Sequence, residues 1–209
     1  MNYLICASVG YLLGSISPSF IISKIKKTDL RRGGTKNLGA SNTILHFGAV
    51  WGIAVMLFDI LKSYLAAKIC QHAFGDVPLA GIISGSFAVL GHVFPFYLKF
   101  RGGKGLASFG GLVLATDPYI FLILLLLCLT VALILDYGCA VAISGAVLFP
   151  VLAGIRFGNL AVFLICSACG ACIIYKHAEN LRRIRTGEEK RLRAFVGKYI
   201  LRASDKRTK

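Results

Sequence analysis

Three polar blocks interrupt an otherwise apolar chain, and each is built from residue types suited to holding an anion. The first reads Asp29-Leu30-Arg31-Arg32-Gly33-Gly34-Thr35-Lys36-Asn37-Leu38-Gly39-Ala40-Ser41-Asn42. Its glycines let the backbone approach a ligand closely, while its amides, hydroxyl and cations can bind phosphate. A loop that only kept positive charge on one side of a membrane would need the cations, but not two asparagines and three glycines. The second block runs from Gly91 and His92 to Gly102-Gly103-Lys104-Gly105, directly ahead of another apolar run. That ending resembles a phosphate cradle at a helix N-terminus. It is not a Walker A loop, because the glycine spacing and the hydroxyl residue after the lysine are missing. The third block spans His177 to Glu189 and includes Asn180, Arg183 and Gly187. On a continuous helix His177, Asn180 and Arg183 share one face. His177 and Asn180 are therefore candidates to orient or deprotonate a substrate hydroxyl.

Asp59 and Lys62 lie three apart inside an apolar run. Ionisable groups in a membrane are costly and pair with each other or with a functional partner. We expect them to form a structural pair near the site, as we do His92. No G-x-S-x-G elbow, H-x-x-x-x-D or H-E-x-x-H motif occurs.

The elements that must position these blocks are apolar. Of 209 residues, 56% are hydrophobic and 16% charged. Soluble domains carry about 25% charged residues, and disordered chains are poor in apolar ones, so both classes are excluded. The expectation is an all-α integral membrane protein, residues 1–209 forming a single polytopic domain. The net charge of +15 could suggest a nucleic-acid binder, but of the 24 Lys and Arg, six lie in 24–36, three in 99–104 and twelve from 176 onward. Clustering at the ends of apolar runs is the positive-inside pattern and also suits anionic lipid or phosphorylated substrates, so no nucleic acid is expected. The seven cysteines sit in or beside apolar runs, where a thiol behaves as a small hydrophobe, and no metal site is expected.

Apolar runs cover about 3–23, 48–71, 77–98, 106–116, 118–135, 138–155 and 159–175. Most approach the ~20 residues that cross a bilayer core. About seven transmembrane helices follow, one or two of them short, with the N-terminus outside and the C-terminus cytoplasmic. The N-terminal Met1-Asn2-Tyr3 lacks the basic start of a signal peptide. Small-xxx-small pairs (Gly10/Gly14, Gly48/Gly52, Gly81/Gly85) suit close helix packing. From about 188 to 209 the tail reads as a basic amphipathic helix on the inner leaflet. Taken together, the residues point to a cytoplasm-facing, anion-binding pocket at the edge of apolar helices, suited to a phosphate head with a lipid tail.

The three blocks in this order, with Gly14-Ser15-Ile16, Pro18, Asp59 and Lys62, resemble the bacterial acyl-phosphate:glycerol-3-phosphate acyltransferases, the PlsY family. The resemblance implies an enzyme of the bacterial cell membrane with its active site facing the cytoplasm. Its reaction moves a fatty acyl group from acyl phosphate to the 1-hydroxyl of glycerol 3-phosphate, giving lysophosphatidate for phospholipid synthesis. It implies no cofactor, and a partner enzyme that supplies acyl phosphate. It implies phosphate binding by Thr35, Lys104 and the Gly102–Gly103 backbone, with His177 and Asn180 catalytic; Lys36, Asn37, Asn42, Gly187 and Glu189, from the same polar blocks, complete the candidate binding set.

The chain departs from the family pattern in places. It has Thr35-Lys36-Asn37 where the family has Ser-Gly-Asn, and Leu45 where the family has an arginine on substrate phosphate. A cysteine, Cys139, stands near a position where the family tends to have serine. Lys36 or His46 is the candidate replacement for the missing cation. These departures leave two alternatives: a paralogue with another acceptor or no activity, and a transporter or binding protein for anionic lipids.

Overall fold

The computed structural model describes residues 1–201. It is helical, with no β-strand among the described residues. The expected first span is broken in two, α1 (Asn2–Ser15) and α2 (Pro18–Ile25). Pro18 sits at the start of α2, where its missing N–H costs nothing, and the Ser17 hydroxyl caps the Phe20 amide at 3.3 Å. The break frees carbonyls that lipid cannot satisfy, so protein must. Lys62 Nζ donates to Ile16 O at 2.8 Å and Tyr97 Oη to Ser15 O at 2.7 Å.

The first polar block folds as a loop into α3 (Ala40–Phe47), and Gly48, at φ +88°, turns the chain into α4 (Ala49–Ala73). Next come α5 (Ala80–Val93), α6 (Leu106–Thr116), α7 (Pro118–Leu135), α8 (Cys139–Phe157) and α9 (Leu160–Lys176). Two short helices, α10 (Ala178–Arg185) and α11 (Leu192–Val196), close the described chain with a π turn at Gly197–Leu201. The amphipathic tail expected from about 188 is thus a short helix and a turn up to Leu201, and 202–209 lie outside the described residues.

Glycine brings α1 and α5 into backbone contact. A Cβ at Gly10 or Gly14 would lie 2.0 Å from the carbonyl oxygen of Ser84 or Ala88 respectively, as close packing of small residues requires. The apolar core lies between α5 to α9, centred on an edge-to-face pair, Phe109 and Phe149, with centroids 5.4 Å apart. Cys128, Cys166 and Cys169 are buried in it.

By length and composition four helical stretches can cross a membrane: Asn2–Ile25, Ala80–Leu98, Pro118–Leu135 and Cys139–Phe157. The pair α9 and α10, bent by 46°, makes a fifth if taken as one span. Of the other two expected spans, α4 has 25 residues but carries Asp59, Lys62 and Lys68, and α6 has 11.

Candidate active site

The polar blocks converge at one end of the helices. The first two enclose a cleft of about 730 Å³, lined by Asp29, Arg31, Arg32, Lys36 and Asn37 on one side and by Leu98, Lys99, Arg101, Gly102, Gly103 and Lys104 on the other. Lys176, from the end of α9, completes it. Seven cations thus face a single acid. That acid, Asp29, is already engaged by Arg31, whose Nε and Nη2 donate to its carboxylate at 3.0 and 3.2 Å. Those bonds hold the Asp29 carboxyl below its usual range. The cleft therefore keeps a large positive excess, the field that draws in polyanions. Arg31, Arg32, Lys99, Arg101 and Lys176 were not in the candidate set. In the sequence their charge is accounted for by membrane topology, and nothing in the spacing separates the two uses.

The first loop is held from within by Asn42, which is fully buried. Its Oδ1 accepts from the Thr35 amide at 2.8 Å, and its Nδ2 donates to Leu30 O at 2.7 Å and to Asn37 O at 2.9 Å. Asn42 thus spends its amide on the loop backbone and shapes the cleft, whose lining residues do not include it. The Thr35 hydroxyl donates to Asn37 Oδ1 at 3.2 Å. His46 Nδ1 bonds Asn42 O at 3.0 Å and its ring lies behind Gly33 and Gly34, whereas Lys36, at φ +55°, lines the cleft. Of the two candidate replacements, Lys36 is among the residues lining the cleft and His46 is not.

The glycines of the second block act differently from a phosphate cradle. The Gly102 and Gly103 amides donate to Val93 O and His92 O, each at 3.1 Å, so those N–H groups are committed to the end of α5. Their lack of side chains permits a close approach. A Cβ at Gly103 would lie 2.1 Å from His92 Nε2, and one at Gly102 the same distance from His92 O. Behind this loop lies a buried group of three: Lys62 Nζ is 2.6 Å from Asp59 Oδ1, and His92 Nδ1 lies 3.2 Å from that oxygen and 3.0 Å from Lys62 Nζ. The expected structural pair is a triad, and it braces the loop that presents Lys104.

The third block does not continue as one helix. The chain bends by 46° at His177, which caps α9 and begins α10. The bend still brings Asn180 and Arg183 to the cleft edge. Lys104 Nζ donates to Asn180 Oδ1, Asn180 Nδ2 donates to Glu189 Oε1 at 2.7 Å, and Arg183 Nε donates to Glu189 Oε2 at 2.7 Å. Burial, followed by the nearby Arg183, pushes the Lys104 ammonium below the usual lysine range. Gly187, at φ +75° and with open space around it, turns the chain after α10 and does not line the cleft.

His177, just past the end of α9, is buried, and its Nδ1 lies 2.8 Å from Ile173 O. A carbonyl only accepts, so Nδ1 carries the proton and Nε2 offers a lone pair. Desolvation pulls the ring's pKa down to about 4, with Lys104 adding to the effect. A ring-nitrogen NMR titration, assigned with His177→Gln, is expected to show no inflection near the ordinary value of about 6.5. An inflection there would mean that the ring is solvated.

Comparison with known proteins gives one consistent match. A family model described as glycerol-3-phosphate acyltransferase matches residues 4–187. A glycerol-3-phosphate acyltransferase of Aquifex aeolicus is 36% identical over 194 residues, covering 91% of this chain and all of the relative. One of Thermoanaerobacter pseudethanolicus is 32% identical, covering 92% and 96%. Among solved structures, PlsY, an integral membrane glycerol 3-phosphate acyltransferase, superposes in its glycerol 3-phosphate form with a TM-score of 0.85 at 34% identity, covering 91% of this chain and 96% of that one. Its lysophosphatidic acid form gives a TM-score of 0.82 at 32% identity, covering 91% and 95%.

Proposed function

The chain belongs to the glycerol-3-phosphate acyltransferase family, and from that membership and the cationic cleft we infer how it works. It is an acyltransferase that esterifies glycerol 3-phosphate to lysophosphatidate in phospholipid synthesis, and we propose acyl phosphate as the donor. The observation that carries this reading is the joining of Lys104 to the Asn180–Glu189–Arg183 network at the rim of a cleft lined by seven cations. Such a cleft has the charge to hold two phosphorylated substrates side by side.

In the proposed reaction the glycerol 1-hydroxyl attacks the acyl carbonyl carbon, a tetrahedral oxyanion forms, and its collapse expels inorganic phosphate. Acyl phosphate is already activated, so no acyl-enzyme is needed, and the chain's work is positioning and charge stabilisation. His177 Nε2 accepts a hydrogen bond from the attacking hydroxyl and orients it. A ring with a pKa near 4 is a poor place to leave a proton. The departing phosphate gains a strongly basic oxygen as its bond to the acyl carbon breaks, so it is the better acceptor, and the proton ends there. Asn180 and Lys104 hold the acceptor, and Arg31, Lys36 and Arg101 hold the remaining phosphate charge. A donor test checks this: palmitoyl phosphate and palmitoyl thioester are offered separately with glycerol 3-phosphate, and lysophosphatidate is expected only from the phosphate. Product from the thioester alone would overturn the donor.

We further propose that Lys36 supplies the phosphate contact that Leu45 cannot. Lys36→Ala is then expected to raise the KM for glycerol 3-phosphate by roughly 10-fold or more, the scale of a lost charge-assisted bond. An unchanged KM would show that no replacement is made there. Seven spans, N-terminus outside and cleft toward the cytoplasm of a bacterial cell membrane, remain our reading of topology for the whole chain as one unit. It is supported by the basic loops on one side and by the internal pairing that lets α4 carry charge. The donor's chemistry also calls for a partner enzyme that makes acyl phosphate.

A further inference from the structure

Glu189 is the acid that sets the Lys104–Asn180 contact. With Nδ2 of Asn180 donating to its carboxylate, Oδ1 of the same amide is left facing Lys104. Glu189 and Lys104 select the same amide orientation, since a flipped amide would turn its donors to the ammonium and its oxygen to the carboxylate, and Glu189 fixes where that amide sits. The position of Glu189 is set from both sides. On the N-terminal side the Glu188 and Glu189 amides both donate to Arg183 O, at 2.8 and 3.1 Å, closing α10.

On the C-terminal side the chain does not hang free. Residues Arg191 to Arg193 dock on the turn between α7 and α8, far away in sequence. Leu192 N donates to Asp136 O at 2.8 Å, and Arg193 N donates to Asp136 Oδ1 at 2.9 Å. The Arg193 guanidinium reaches Leu133 O at 3.0 Å, and the Arg191 guanidinium lies 4.6 Å from the centre of the Tyr137 ring. An antiparallel bridge joins Tyr137 to Arg191. Two residues of chain reach no more than about 7 Å, so docking Arg191 confines Glu189.

We propose that the α7–α8 turn, through Asp136, is a positioning element for the acceptor site. It seats a strap, residues 190–193, that holds Glu189 where it orients Asn180 toward Lys104. The proposal rests on the function argued above. Asp136 is suited to the role because it occupies the left-handed region, at φ +60°, where Asp and Asn are tolerated and other side chains are strained. It contributes no atom to the cleft.

The test uses the full chain reconstituted in lipid with two substitutions at Asp136. Asp136→Asn keeps an oxygen for the Arg193 amide and tolerates the backbone angle. Asp136→Gly keeps the angle and the backbone oxygen that Leu192 N reaches, and removes the side-chain oxygen that Arg193 N reaches. The KM for glycerol 3-phosphate is expected to rise about tenfold in Asp136→Gly, as small misplacements in a positioned site do. The KM for palmitoyl phosphate stays within twofold of wild type, and Asp136→Asn behaves as wild type. Hydrogen exchange by mass spectrometry is expected to quicken in Asp136→Gly over 188–193 but not over α4 to α6. Faster exchange of the strap with an unmoved acceptor KM would overturn the proposal, as would exchange that does not change. So would loosening of α4 to α6 with both KM values raised, because that is general destabilisation. A wild-type chain with no turnover at all would instead overturn the function, whereas normal wild-type turnover with an unmoved KM in Asp136→Gly overturns only the strap.

Discussion

Lys104→Ala is expected to lower kcat/KM by about 10²- to 10³-fold while leaving the folded protein intact. The size follows from what the ammonium does. It is half-buried at the cleft rim, and desolvation strengthens each charge-assisted bond it makes to a phosphate or a developing oxyanion. Loss of one buried charged partner is worth roughly 2–5 kcal/mol, and about 1.4 kcal/mol is tenfold in rate. The fold survives because, among the described residues, the side chain hydrogen-bonds Asn180 alone and braces no helix pair. Lys104→Arg is expected to recover little, since a planar fork cannot stand in for a compact ammonium wedged between Asn180 and the cleft. Steady-state kinetics beside thermal unfolding would check both. A Lys104→Ala enzyme within tenfold of wild type would remove Lys104 from the reaction.

Lys62→Met should have the largest effect on stability, about 3–5 kcal/mol. The ammonium lies 2.6 Å from Asp59 Oδ1, 3.0 Å from His92 Nδ1 and 2.8 Å from Ile16 O, and both acid and base are buried. Removing it strands a carboxylate within the helices and leaves the carbonyl at the α1–α2 break without its donor. Replacing both charges, as Asp59→Val with Lys62→Met, is expected to recover much of the loss, because an apolar pair tolerates burial where one charge does not. Thermal unfolding in detergent of the two single variants and the double variant would read the coupling. A Lys62→Met protein as stable as wild type would mean that the triad does not brace the fold.

The elements that sequence reading found best were those whose chemistry is unusual for their setting. Asp59 and Lys62 stand out in an apolar run because charge there demands a partner, and the structure supplies it three residues away together with His92. Glycine and asparagine exceed what a topological loop needs, and Lys36, Asn37 and Lys104 do line one cleft. What could not be read was how backbone groups are spent. Nothing in Gly102-Gly103 tells that both amides bond back to α5, or in Asn42 that its amide is consumed by Thr35, Leu30 and Asn37. Helical spacing placed His177, Asn180 and Arg183 on one face, but the chain bends at His177, and Glu189 rather than helix geometry joins the last two. The strap on Asp136 has no local signal at all, since Arg193 and Asp136 are 57 residues apart.

The central claim is that this cationic cleft transfers an acyl group between two phosphorylated substrates without an acyl-enzyme. The most direct measurement supplies palmitoyl phosphate and glycerol 3-phosphate to the purified protein in lipid, and quantifies lysophosphatidate by mass spectrometry together with inorganic phosphate. The account predicts the two products in equal amounts, both absent from Lys104→Ala. Phosphate released without lysophosphatidate, or no product from a well-folded preparation, would contradict it.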